Sequence, residues 1–240
     1  MSQPDRPEDA AALGAAVCRA RGETRDSPLP ASVVFDLGAV VFHWQPLDLL
    51  QCTLPAHAPD AAAARRLAAA IFQNFAPGSD WAAFDLGQVD EPVLAERIAR
   101  RSGLAADEVL AVIRAIPPAL RADGATVALL RRVKAAGHRL FFLSNMPASY
   151  ALHLQRRDDC LACFDAGVFS SQIGLMKPDP AIYEHAAREF GFAREQAAPV
   201  FIDDSEPNVE AARRLGWDAV LYHGAAQCAD ALAARGLLAA

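Results

Sequence analysis

Val33-Val34-Phe35-Asp36-Leu37-Gly38 is the stretch whose reading decides the fold. Three residues that favour buried strands run straight into a carboxylate, and a glycine follows two positions later. The pattern recurs twice. Leu140-Phe141-Phe142-Leu143 runs into Ser144-Asn145, and Val200-Phe201-Ile202 runs into Asp203-Asp204. Apolar runs without alternation suit strands covered on both faces, as in a parallel sheet. In an open parallel sheet the carboxyl ends of the strands line the crevice where ligands bind. Three carboxylates, a hydroxyl and an amide converging there suit a hard cation and a phosphate.

Working outward, strands are expected at Ser32–Asp36, Arg139–Ser144, Ala166–Ser170, Val200–Asp203 and Ala219–Tyr222. Helical patterns separate most of them: Asp123–Gly137 closing on glycine, Pro147–Arg157, a helix opened by Asp179-Pro180 and ended by Phe190-Gly191, and one opened by Ser205-Glu206-Pro207 and ended by Leu215-Gly216. Alternation of this kind predicts an α/β, doubly wound (Rossmann-like) parallel sheet with right-handed crossovers. The rhythm breaks between Pro46 and Pro118, where helical patterns at Pro46–Cys52, Ala61–Phe72, Pro92–Arg101 and Asp107–Ile116 follow one another without a strand. An inserted helical module is expected there, bounded by Trp44-Gln45-Pro46 and Ile116-Pro117-Pro118. The predicted layout is an N-terminal extension over residues 1–30, a core from 31–45 and 118–240, and a helical insert over 46–117. The extension reads as poorly ordered, since its Ala-rich piece Asp9–Arg21 gives way to the turn-rich Asp26-Ser27-Pro28-Leu29-Pro30.

Composition narrows the partners. With 29 acidic against 23 basic residues, the net charge of −6 offers no electrostatic reason to expect nucleic acid. No apolar run approaches the roughly twenty residues that span a bilayer, and the first residues do not read as a signal peptide, so a cytoplasmic protein away from membranes is expected. The five cysteines, Cys18, Cys52, Cys160, Cys163 and Cys228, are odd in number and scattered, which predicts free thiols. Cys160-Leu161-Ala162-Cys163 has the spacing of a metal half-site, but no second ligand pair accompanies it, and burial is the expected use.

Each polar group at a strand end also has a plain structural use. Asp36 could cap a helix, and Ser144-Asn145 could be an ordinary turn. Lys177, in Gly174-Leu175-Met176-Lys177-Pro178-Asp179-Pro180, could be a solvated loop lysine. The chemical readings are a nucleophilic or metal-binding carboxylate at Asp36, an anion-binding hydroxyl and amide at Ser144 and Asn145, and a neutralising cation at Lys177. The doublet Asp203-Asp204 is harder to explain structurally, because adjacent acids repel unless a cation or strong donors offset them.

Together, Phe35-Asp36-Leu37-Gly38-Ala39-Val40-Val41, Leu143-Ser144-Asn145, Lys177-Pro178-Asp179-Pro180 and Phe201-Ile202-Asp203-Asp204-Ser205 with Asn208 resemble the haloacid dehalogenase superfamily. The match covers roughly residues 32 to 222, and the helical insert is similar to that family's cap domain. The resemblance implies that Asp36 is the nucleophile of a covalent aspartyl intermediate and that Ser144, Asn145 and Lys177 hold the transferring phosphoryl group. It implies Mg²⁺ held by Asp36, Asp204 and the Gly38 carbonyl, with Asp203 assisting directly or through water. The partner implied is a small phosphorylated molecule. Charge neutralisation by a cation and a lysine is what phosphoryl transfer requires.

One position departs from the family pattern. Gly38 stands where most phosphatases of the superfamily carry a second Asp as general acid and base, help that is typically about 10²–10⁴-fold. Three readings stay open. The first is a Mg²⁺-dependent phosphatase whose ester has a good leaving group, such as a sugar 1-phosphate. It fits the subgroup with an Asp-Leu-Gly start that includes alpha-glucose-1-phosphate phosphatase, with His43 as a candidate proton carrier. The second is a 2-haloacid dehalogenase using Asp36 without metal, with Arg65 or Arg66 as halide-binding candidates. The third is a non-catalytic binding module. Trp44, Phe72, Phe75, Trp81 and Phe84 flank or lie in the insert and could pack it to the core or wall a substrate.

Overall fold

The computed structural model describes residues 30–157, 159–192 and 198–239. The expectations for the extension before residue 30, and for Cys18 within it, lie outside the described residues. Five parallel strands, β1 (Ser32–Phe35), β2 (Arg139–Ser144), β3 (Ala166–Phe169), β4 (Val200–Asp203) and β5 (Asp218–Leu221), form one sheet in the order β3-β2-β1-β4-β5. The chain therefore winds outward from β1 to one edge and then returns to wind toward the other. The point of reversal lies beside β1, where such sheets bind ligands.

Register explains why the polar groups meet. Phe35 of β1 pairs with Phe142 of β2 and with Ile202 of β4. One step further along lie Asp36 and Asp203, and two steps along β2 lies Ser144. The ladder continues through that step, since the Asp36 N–H donates to the Ile202 carbonyl at 2.8 Å. Strand side chains alternate between faces. Val33, Phe35, Leu140, Phe142 and Ile202 pack with Val127, Leu130 and Val133 of α6 (Gly124–Ala135) and Cys228 and Leu232 of α11 (Ala225–Ala233). Val34, Phe141, Leu143 and Phe201 pack with Ile182, Tyr183 and Ala186 of α9 (Pro180–Glu189) and Val209 and Ala212 of α10 (Glu206–Arg214). Both faces are covered, as the continuous apolar strands require.

Between β1 and α6 the chain forms α1 (Pro46–Thr53), α2 (Ala61–Phe72), α3 (Asp80–Asp85), α4 (Glu91–Ser102) and α5 (Ala106–Ala119), with no strand over 46–119. The last of these helices does not stop at the prolines as expected: α5 runs through Pro117 and Pro118 to Ala119. Pro117 has no N–H to give the Ile113 carbonyl four residues back. That carbonyl instead accepts from Tyr150 Oη at 2.7 Å, on α7 (Ala148–Arg157), so the missing helix bond becomes a tie between insert and core. The aromatic residues add a second tie. Trp44, Phe72, Trp81, Phe84 and Tyr150 contact in series, with ring centroids 4.7–5.8 Å apart.

The capping expectations hold at Asp179, whose carboxylate accepts from the Ala181 N–H, but Ser205 makes no side-chain cap. The Asp203 carboxylate takes the Ser205 N–H instead. Cys52, Cys160, Cys163 and Cys228 form no disulfide among the described residues, and Cys160 and Cys228 are buried. On the edge strand, Gly167 pairs with Phe142, and a Cβ there would overlap the Phe142 ring, which itself packs on Phe164 and Phe169. Gly167→Ala is therefore expected to destabilise the protein by about 1–3 kcal/mol, measured by denaturant unfolding.

Candidate active site

Asp36, Lys177 and Asp203 form a buried ionic group at the crevice floor. Their exposures are 8%, 2% and 0%. Lys177, in the loop between α8 (Ser170–Ile173) and α9, reaches Asp203 Oδ2 at 2.6 Å and Asp36 Oδ1 at 2.9 Å. Burial by itself would lower the lysine pKa, but the Asp203 and Asp36 charges outweigh it and hold Lys177 above its ordinary value. The contact to Asp36 lacks hydrogen-bonding geometry, so Asp36 Oδ1 is a buried oxygen with a charge partner but no hydrogen-bond donor.

Asp203 differs. Its Oδ1 accepts from the Ser205 N–H at 2.8 Å and Asn208 Nδ2 at 3.0 Å, and its Oδ2 accepts from Lys177 Nζ and Asn208 Nδ2. A carboxylate so fully engaged is held in place and holds Lys177 in turn. Asp204, next along the chain, is exposed. Loss of hydration at the crevice and the Asp203 charge raise its pKa, against a pull from Lys177. Asn145 is also engaged: Nδ2 donates to the Lys177 carbonyl at 2.9 Å and Oδ1 accepts the Lys177 N–H at 2.8 Å. The amide thus pins the lysine backbone and keeps one Nδ2 hydrogen free. Ser144 sits buried at the end of β2, at 1% exposure.

Oxygens of Asp36, Asp203 and Asp204 lie within 4.8 Å of one another, the one such carboxylate cluster among the described residues. One lysine faces three carboxylates. The excess shows in Asp36, where burial first, then Asp203 and Asp204, push the pKa up to about 7 against the opposing pull of Lys177. A hard divalent cation fits this donor set: all-oxygen ligands, an exposed carboxylate, and a buried Asp36 oxygen without a donor. At Gly38 an added Cβ would meet nothing within 4 Å, so the space a longer side chain would fill is open.

Other sequence candidates do not join this group. His43 is exposed, and its ion-pair partner is Asp123 at 3.9 Å. Arg65 and Arg66 lie exposed on α2, where their charges act on the capping Asp60. Trp44, Phe72, Trp81 and Phe84 are packed within the insert and against Tyr150, and Phe75 is 40% exposed at their edge. The sequence reading passed over Asp85, a carboxyl only 4% exposed at the end of α3. The available signal was an acid following Trp81-Ala82-Ala83-Phe84 at a helix C-terminus, where the dipole disfavours negative charge.

This acid–lysine cluster lies at the switch point of a doubly wound parallel sheet, where such folds place their reactive groups. Residues 34–216 match the haloacid dehalogenase-like hydrolases, and the chain belongs to that family. It is 28% identical over 186 residues to the sesquiterpene phosphatase astK of Aspergillus oryzae, an alignment covering 77% of this chain and 86% of that protein. Among solved structures, a HAD family enzyme of Bacteroides thetaiotaomicron, in complex with magnesium and inorganic phosphate, superposes with a TM-score of 0.59 at 17% identity, over 80% of this chain and 93% of that one. An L-2-haloacid dehalogenase of Xanthobacter autotrophicus with chloropropionic acid covalently bound gives the same TM-score and identity, over 80% of this chain and 76% of that one. These two share the fold. No helix among the described residues is long and apolar enough to cross a membrane.

Proposed function

We propose that this hydrolase is a Mg²⁺-dependent phosphatase that cleaves a small phosphate monoester through an aspartyl-phosphate on Asp36. The observation that carries the reading is the three-carboxylate cluster facing the buried Lys177 ammonium. A monoanionic haloacid would add charge to that excess, whereas a divalent cation offsets it and prepares the crevice for phosphate. Asp36, Asp204 and the Gly38 carbonyl would hold the cation, which supplies neutralisation of the phosphoryl oxygens. Asp36 attacks phosphorus in line with the departing oxygen. Lys177 neutralises an equatorial oxygen, aided by the Ser144 hydroxyl and the free Asn145 Nδ2 hydrogen. Asp203 and Asn208 keep Lys177 aimed and charged.

The helical insert over 46–117 acts as the cap above this floor. Similarity to a sesquiterpene phosphatase supports an ester whose alcohol is apolar, and so does Phe75, 40% exposed and stacked on Phe72 at the edge of the aromatic series. A sugar phosphate, implied by the Asp-Leu-Gly start, is the second arm of the test. A panel of prenyl, alkyl, aryl and sugar phosphates with 2-haloacids, assayed with Mg²⁺ and with EDTA, is expected to show chelator-sensitive phosphate release. Halide release that persists in EDTA would instead select the dehalogenase reading, in which Asp36 attacks carbon.

A further inference from the structure

The turn that carries Ser144 and Asn145 shares one hydroxyl with the helical insert. Ser144, at the end of β2, pairs with Phe169 at the end of β3. The residue after Phe169, Ser170, therefore lies at the crevice end of the sheet beside Asn145 and Met146, and it is fully buried. Ser170 Oγ accepts the Met146 N–H at 2.9 Å and donates to the Asp85 backbone carbonyl, at the end of α3, at 2.5 Å. A hydroxyl can accept and donate at once, so one side chain fixes both the turn and the insert. From Met146 the connection passes to the adjacent Asn145, whose amide makes reciprocal bonds of 2.9 and 2.8 Å with the Lys177 backbone. Lys177 Nζ in turn holds Asp203. An unbroken run of bonds thus joins the insert to the buried ammonium.

Two further observations show that the insert presses on this spot against a penalty. Gly87, with φ at +77° in neither neighbour but +70° here, approaches α8 so closely that a Cβ on it would lie 2.8 Å from the Ser171 carbonyl and 3.3 Å from the Ser171 Cβ. The Ser171 hydroxyl is itself buried without a hydrogen-bond partner. Covering a hydroxyl that water would otherwise satisfy opposes the contact, while the Ser170 bonds hold it. Opposing contributions of this kind leave a contact poised between seated and lifted arrangements. Resting on the phosphatase reading, we infer that Ser170 is a positioning residue that couples seating of the insert to the alignment of Asn145 and Lys177. Seating brings the Asp85 carbonyl to the Ser170 proton, which leaves an oxygen lone pair aimed at the Met146 N–H. The turn is then drawn into the geometry in which Asn145 grips the Lys177 backbone. By linkage the relation runs both ways, so phosphate on the turn favours the seated insert. Substrate enters with the turn after α3 lifted, and its phosphate brings that turn down.

The test measures binding of inorganic phosphate in Mg²⁺, together with amide hydrogen exchange, on wild type, Ser170→Ala and Gly87→Ala. Ser170→Ala removes both bonds at once, whereas Gly87→Ala pries the insert from Ser171 and leaves the Ser170 hydroxyl in place. In wild type, phosphate should slow exchange both in the turn at 144–147 and in the insert at 82–90. In Ser170→Ala the phosphate Kd should rise roughly 5–150-fold, the usual span of a coupling between two sites, and the slowing at 82–90 should vanish. Gly87→Ala should raise the Kd in the same direction. Both variants also lose stability, so Gly167→Ala serves as the control. It strains β3 against Phe142 without removing either Ser170 bond, and its phosphate Kd should stay within about threefold of wild type.

An unchanged phosphate Kd in Ser170→Ala, slowing at 82–90 that survives in it, or an equal rise in Gly167→Ala overturns the inference and leaves the phosphatase reading standing. If Ser170→Ala does not fold, Gly87→Ala decides, and a wild-type Kd there overturns the coupling. If wild type neither binds phosphate nor releases it from any ester, the phosphatase reading fails and this inference falls with it.

Discussion

Asp36→Asn should cut phosphate release by roughly 10⁴-fold or more while leaving the protein folded, since a missing nucleophile cannot be replaced by the remaining groups. Asparagine fills nearly the same volume, and the backbone bond that sets the position, Asp36 N–H to the Ile202 carbonyl, does not involve the side chain. Lys177 keeps its shorter contact, 2.6 Å to Asp203 Oδ2, so the crevice floor retains its charge pair. One of three crowded carboxylates is gone, which relieves repulsion. The melting temperature should consequently stay within a few degrees of wild type, and the thermal shift on adding Mg²⁺ should shrink because a ligand oxygen is lost. Near-normal phosphate release by the variant would end the proposal that Asp36 attacks phosphorus.

Lys177→Ala has the second large expected effect, on stability as well as rate. Removing a fully buried ammonium leaves Asp36 and Asp203 facing each other without compensation, a change that costs about 3–5 kcal/mol. For a chain of this size that corresponds to a melting temperature lower by roughly 6–20 °C. Turnover should fall by about 10²–10³-fold or more, as for loss of one preorganised electrostatic contact in a dry site. Lys177→Arg separates the two effects. It keeps the charge but cannot fit a compact ammonium site, so it should recover part of the stability and little of the rate. Full activity in the Arg variant would contradict the close contacts described for Nζ.

How much of this was legible beforehand depends on how far apart along the chain the cooperating residues lie. Strands such as Arg139–Ser144 and Val200–Asp203 were readable to the residue, because strand pattern and terminating polar group are local signals. The helix at Asp80–Asp85 was not, since six residues are too few to display a helical period. The end of α5 was misjudged at Pro117-Pro118. Local chemistry says a proline breaks a helix, but Tyr150, distant in sequence, satisfies the carbonyl it abandons. Asn145 shows the same limit. Its amide was foreseen at the crevice, but its reciprocal bonds to the Lys177 backbone join residues 32 positions apart.

The order of apolar runs and their terminal polar residues was enough by itself to determine a parallel doubly wound sheet and to nominate Asp36, Ser144-Asn145 and Asp203-Asp204, while Lys177 entered through the family resemblance. Each strand carries its own burial and its own polar stop. Only the tertiary structure decided which carboxylate is saturated, which stays open, that His43 serves Asp123, and that Asp85 crosses from the insert to the catalytic edge. Those outcomes are set by distance and desolvation between segments far apart along the chain, and no local pattern encodes them.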